Sequence, residues 1–130
     1  MHLIIDAYCG DSKKMRDTEF IHRFLDTYPG EIGMTKVSTP QVSQYVAAHD
    51  SESPPQEQGF ALRGSSPKGI SGFILLAESH ISIHVFPELS YINIDIFSCN
   101  DFQPELVISE LQQQFGLTEV KSYILNRPHT

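Results

Sequence analysis

Ile81, Ile83 and Val85 alternate with Ser82, His84 and Phe86, and beyond Pro-Glu-Leu-Ser at 87–90 a second run sets Ile92, Ile94 and Ile96 against Asn93, Asp95, Phe97 and Cys99. A period of two is the signature of a strand, and two such runs across a four-residue turn form a hairpin. Placing 86 opposite 91 sets 84 against 93 and 82 against 95. One face of the hairpin is then wholly aliphatic and has to be covered by helices. The other carries His80, Ser82, His84, Asn93, Asp95 and Cys99. A sheet face turned to water usually bears Lys, Glu and Thr, so this set reads as a site or a polar interface. Ser79 and His84 are five apart, and an unbroken strand would point them to opposite faces. For both to serve one site, the chain must break or bulge near 78–80, level with Cys99.

The rest of the chain supplies the cover. Residues 2–8 read as a strand. Asp11 or Ser12 can cap a helix in which Met15, Phe20, Ile21, Phe24, Leu25 and Tyr28 recur at helical spacing, with Pro29-Gly30 as its expected stop. A strand is expected over 32–39, continuing toward Val46, and the polar stretch 49–59 with its two prolines is expected as a loop. Asp101 can cap a second helix with Pro104 in its first turn, a stripe of Leu106, Ile108, Leu111 and Phe115, and Gly116 at its end. A last strand is expected over 120–125. The order is β-α-β-β-β-α-β, an α+β two-layer sandwich of one mostly antiparallel sheet with two helices on one face, in a single domain over 1–130.

Charge removes some functions. Nine Lys and Arg stand against 16 Asp and Glu, a formal charge of -7. A nucleic-acid binder needs clustered cations, and the basic run at 13–16 reads as a solvated helix face. The apolar run at the N-terminus is too short for a membrane span or a secretion signal, and the two cysteines, Cys9 and Cys99, are expected as reduced thiols in a cytoplasmic protein. No metal set is expected.

Residues 69–101 resemble the processing and active-site block of the bacterial and archaeal S-adenosylmethionine decarboxylases. The matching elements are Gly-Ile-Ser-Gly at 69–72, Glu-Ser-His at 78–80, Ile-His at 83–84, Pro-Glu at 87–88 and Asp-Ile-Phe-Ser-Cys at 95–99. Taken singly these residues are bland: a strand-end serine, a structural histidine, a buried cysteine, a solvated turn glutamate. Their joint occurrence in one ordered block carries the resemblance. It implies a proenzyme cut between Glu78 and Ser79 into chains 1–78 and 79–130, with Ser79 becoming a pyruvoyl group that does the work of pyridoxal phosphate. It further implies that Ser71 assists the rearrangement, that His84 removes the Ser79 α-proton, and that Cys99 is the proton donor in decarboxylation. Glu88 resembles the carboxylate that binds the substrate ribose hydroxyls. The family assembles as a four-layer αββα homodimer with sites at the interface.

Two departures bear on the substrate. In the family adenine is stacked between aromatic side chains; one such position, ahead of the processing serine, is Ser65 here, and another, after the acidic residue of the first strand, is Ala7. Tyr8, Phe60 and Tyr91 are the aromatics available to replace them. An acidic set of Asp6, Glu88 and Asp95 suits the sulfonium of S-adenosylmethionine and equally the cations ornithine and arginine. Three readings stand open: an S-adenosylmethionine decarboxylase of polyamine synthesis, a pyruvoyl-dependent ornithine or arginine decarboxylase, and a non-catalytic paralogue.

Overall fold

A computed structural model of the chain describes residues 1–46 and 68–127. The expected loop at 49–59, Phe60 and Ser65 lie outside the described residues. Six strands form one antiparallel sheet: β1 His2–Cys9, β2 Gln41–Val46, β3 Lys68–Leu76, β4 Ser79–Phe86, β5 Tyr91–Phe97 and β6 Leu117–Leu125, in the spatial order β2-β3-β4-β5-β1-β6. Three helices accompany it, the short α1 Ser12–Met15, then α2 Thr18–Glu31 and α3 Pro104–Phe115.

The alternation reads directly into register. Phe86 pairs with Tyr91, His84 with Asn93 and Ser82 with Asp95. The aliphatic parity runs on through the neighbouring strands, giving rows such as Ile74–Ile81–Ile96–Leu3 and Ile70–Val85–Ile92–Ala7, all buried. Ile21, Phe24, Leu25 and Tyr28 of α2 and Val107, Leu111 and Phe115 of α3 close over these rows, with the Phe24 and Phe115 rings edge to face at 4.9 Å. Each fully buried Ile, Leu or Phe contributes about 1.5–3 kcal/mol by leaving water, so these rows are the main stabilising term. The result is a two-layer α+β sandwich with its helices on one face and the polar sheet face left open.

Several boundaries differ from the sequence expectation. The order gains a strand and a helix, because 69–86 folds back on itself at Ala77-Glu78 into β3 and β4. The first helix divides: Asp11 caps α1 by accepting from the Lys14 N–H, and Asp17 opens a new helix by accepting from the Phe20 N–H. Pro29-Gly30 does not stop α2. A proline near a helix end gives up only its own N–H bond, and the Pro29 carbonyl still accepts from Ile32 and Met34. The strand expected over 32–39 forms later, at β2; Gly33 at φ +79° and Pro40 interrupt the earlier stretch, which meets the sheet through one bridge, Lys36 to Leu76. Gln103, not Asp101, occupies the N-cap of α3, while Gly116 ends it at φ +65° as expected. The last strand begins three residues early, its pattern masked by a bulge at Glu119, φ +51°.

Candidate active site

The β3–β4 turn is two residues long, Ala77-Glu78. The Ala77 N–H donates to the Thr35 carbonyl at 2.8 Å, tying the turn to the segment after α2. Glu78 sits at φ +60°, a left-handed conformation that costs a non-glycine residue about 1–3 kcal/mol. The strained residue is therefore the one whose carbonyl forms the 78–79 peptide bond. Ser79 opens β4, half-buried, and lines a cleft of about 230 Å³ with Glu78, Thr35, Ser98, Asn100 and Asp101. Cys99 is an exposed free thiol just beyond the end of β5, whose Phe97 pairs with His80. The break expected near 78–80 thus exists, and it brings Ser79 and Cys99 to the same end of the sheet.

His84 is at the other end. Five residues of strand at about 3.3–3.4 Å each put it about 17 Å from Ser79, so the two do not meet within one chain. Its pairing partner across β3 is Ser71, and Ser71 Oγ lies 2.7 Å from His84 Nδ1. Ser71 also donates to the Tyr45 hydroxyl at 3.3 Å. When Ser71 donates to Tyr45, Nδ1–H of His84 donates to Ser71 and Nε2 is the ring nitrogen free to accept. Gly69 allows this arrangement. A Cβ there would stand 2.5 Å from Tyr45 Cζ, so the tyrosine ring lies across the glycine. Gly72, which follows Ser71 and pairs with Ile83, leaves room for Leu25 of α2, to which a Cβ would come within 2.9 Å.

The remaining expected residues lie on β1, on β5 and in the turn between β4 and β5. Asp6 accepts from Asn93 Nδ2 at 2.6 Å. Tyr8 packs edge to face on Tyr91 at 5.3 Å, and Phe86 lies beside Tyr91. Glu88 stands in a 3₁₀ turn, Pro87–Leu89, and pairs with Arg16 at 3.6 Å; both groups are exposed, so the pair contributes at most about 1 kcal/mol. Ala7 is buried on the helix side, so an aromatic there would not reach the open face. Between the two ends, Asp95 accepts from His2 Nε2 at 3.0 Å, and Arg127 covers the Phe97 ring at 4.4 Å. Burial holds His80 below the usual histidine range, with His2 and Arg127 adding to the effect and Asp95 opposing it. Cys9 is a core thiol donating to the Phe115 carbonyl at 2.7 Å, and burial pushes it above the usual thiol range.

Among the described residues, no group of three or more His, Cys, Asp or Glu side chains is placed to hold a metal, and no helix is long and apolar enough to cross a membrane. Two side chains at these ends were not singled out from the sequence. Tyr45 depends on strand pairing that the expected β2 boundary misplaced. Ser98 continues the parity of Ile92, Ile94 and Ile96, which could have marked it as a hydroxyl on the buried side.

The block at 69–101 therefore folds into two half-sites at opposite ends of the sheet: Ser71 with His84 on the open face, and Ser79 with Cys99 at the β3–β4 turn, where Ser79 shares the parity of buried Ile81 and Ile83 and lines a cleft with Ile32 and Phe102. A family profile described as S-adenosylmethionine decarboxylase matches residues 1–128. The chain belongs to the S-adenosylmethionine decarboxylase family. Among its relatives, each named S-adenosylmethionine decarboxylase proenzyme, that of Prochlorococcus marinus is 31% identical over 116 residues, 88% of this chain and 76% of the relative. That of Clostridium botulinum is 29% identical over 126 residues, 95% and 90% of the two chains. That of Acidithiobacillus ferrooxidans is 41% identical over 63 residues, a match spanning 48% of this chain and about half, 47%, of the relative.

Proposed function

We propose that this chain is a self-processing, pyruvoyl-dependent S-adenosylmethionine decarboxylase of the cytoplasm, acting as a homodimer whose sites each draw on both protomers. The observation that carries the reading is the left-handed Glu78 joined to a cleft-lining Ser79 at a two-residue turn. Ser79 Oγ attacks the Glu78 carbonyl carbon, the C–N bond breaks as the C–O bond forms, and the proton passes to the Ser79 nitrogen. An ester is less stable than an amide, and strain released from Glu78 offsets part of that difference. His84 Nε2 then takes the Ser79 α-proton, the Glu78 carboxylate leaves, and hydrolysis of the dehydroalanine releases ammonia.

The separation of about 17 Å between Ser79 and His84 along one strand supports the dimer. A twofold axis lying between two open faces and running across the strands lays the Ser79 end of one sheet over the His84 end of its partner. The open face suits such burial: Phe73 and Leu75 are 44% and 49% exposed on it, and Tyr45 and Tyr8 are exposed elsewhere on it. A joined site holds Ser79 and Cys99 from one protomer with Ser71, His84, Asp6 and Glu88 from the other.

The residues at the turn fit a group made from Ser79 itself, which begins a strand, lines a cleft and follows a strained carbonyl. The pyruvoyl group supplies the electron sink for loss of CO2. The chain's side chains do the rest: Cys99 delivers a proton to the carbon that loses CO2, Glu88 accepts from the ribose hydroxyls, and Tyr8 with Tyr91 offers the adenine a stacking surface in place of the aromatic absent at Ser65. No second aromatic is lost at Ala7, because that position faces the core.

A second reading, an ornithine or arginine decarboxylase on the same scaffold, rests on Ser65 and on the acids Asp6, Glu88 and Asp95. Intact mass and CO2 release decide. The proposal expects fragments 1–78 and 79–130 and turnover of S-adenosylmethionine, with none of ornithine or arginine. Turnover of a basic amino acid alone would favour the second reading, and an uncut, inactive chain would show a non-catalytic paralogue.

A further inference from the structure

Ser98 is 3% exposed, so its hydroxyl is buried. Its hydroxyl oxygen accepts from the Asn100 N–H at 3.1 Å, but its own proton finds no acceptor among the described residues. A buried hydroxyl normally spends its proton. This one lines the cleft that also holds Glu78 and Ser79. The strand order explains the meeting: β4 and β5 are neighbours, so the residue after Phe97 comes level with the residue before His80.

We infer that Ser98 is a positioning residue for self-cleavage, its hydroxyl donating to the Glu78 carbonyl oxygen as negative charge gathers there during the acyl shift. This rests on the reading of Ser79 as the cut residue and assigns Ser98 a part in processing, apart from the decarboxylation that follows. When Ser79 Oγ adds to the Glu78 carbonyl carbon, the π electrons move to that oxygen and must be held until the C–N bond breaks. A fixed, buried donor serves this better than solvent does, and loss of one such donor from an oxyanion site elsewhere slows reaction by about 10²–10³. The Glu78 carbonyl becomes a terminal carboxylate once the chain is cut and takes no part in decarboxylation, so Ser98 has no corresponding role in turnover.

The test is the rate of self-cleavage of freshly expressed full chain, followed by mass, for wild type, S98A, S98V and S98T, with kcat measured afterwards on the cut fraction of each. Threonine and valine have nearly the same shape, so their difference reports the hydroxyl; S98A adds no bulk and guards against a packing artefact. Expected are cleavage at least about tenfold slower in S98A and S98V, cleavage near wild type in S98T, and kcat within about twofold in all four cut enzymes. Cleavage of S98A and S98V at the wild-type rate would overturn the role of Ser98 while leaving Ser79's intact. Equal loss of cleavage and kcat in all three variants would show that Ser98 only shapes the loop carrying Cys99, and would overturn it as well. A wild-type chain that stays whole would bring down the reading of Ser79 and this inference together.

Discussion

At the scale of single residues, the two cysteines have opposite surroundings. Cys9 is buried, with its proton held by the Phe115 carbonyl, whereas Cys99 is exposed. Thiolate is the reactive form, and burial disfavours it at Cys9. Thiol titration of the native protein at pH 8 is expected to count one fast group per chain, removed by Cys99→Ser, with the second appearing only in denaturant. Tyr28 resembles Cys9: burial, then its hydrogen bond to Glu110 at 2.8 Å, raises its phenol well above the usual range. Both groups bind their protons more tightly folded than unfolded. Their contribution is full below the unfolded values and falls as pH rises past about 9, by about 1.4 kcal/mol per pH unit for each proton involved. Melting temperatures measured from pH 7 to 10.5 should hold level and then drop, and Tyr28→Phe should flatten the upper part of the drop.

At the scale of elements, the hairpin of β4 and β5 was fully legible in the sequence, because three aliphatic rows leave a single register that buries them. The two glycines of Gly-Ile-Ser-Gly were visible as a motif, but their purpose was not. It depends on which rings cross them, and only the pairing of Tyr45 with Gly69 reveals that. The misplaced β2 and the division of the first helix have a common cause. Local caps such as Asp17, and breaks such as Gly33 and Pro40, override an apolar periodicity that runs smoothly past them. Gly69→Ala is expected to displace Tyr45, leave the core untouched, and slow cleavage by loosening Ser71 and His84, as checked by mass and melting temperature together. At the turn, Glu78→Gly should relieve the left-handed strain. The unprocessed chain, held uncut by Ser79→Ala, should then be as stable or up to about 1 kcal/mol more stable, while cleavage with Ser79 present slows.

At the scale of the whole molecule, the sequence pointed to a polar sheet face and to the residues on it, yet placed Ser79, His84 and Cys99 around one peptide bond. The strand rise denies that within a chain, since no bulge between 79 and 84 shortens a continuous eight-residue strand. In the proposed homodimer the same residues would form a site when a second copy faces the first. Leu75→Glu, on the open face and outside the clefts that hold Ser79 and His84, should yield a folded monomer by sedimentation that cleaves poorly.

The most direct test of this composite site is complementation between two inactive chains, Ser79→Ala and His84→Ala, expressed together. In a mixed dimer the His84→Ala chain brings an intact Ser79 and Cys99, and the Ser79→Ala chain brings an intact His84. The account predicts cleavage confined to the His84→Ala chain and decarboxylase activity near about a quarter of wild type, from one working site in half of the dimers. Coexpressed chains that stay as uncut and inactive as either alone would contradict it.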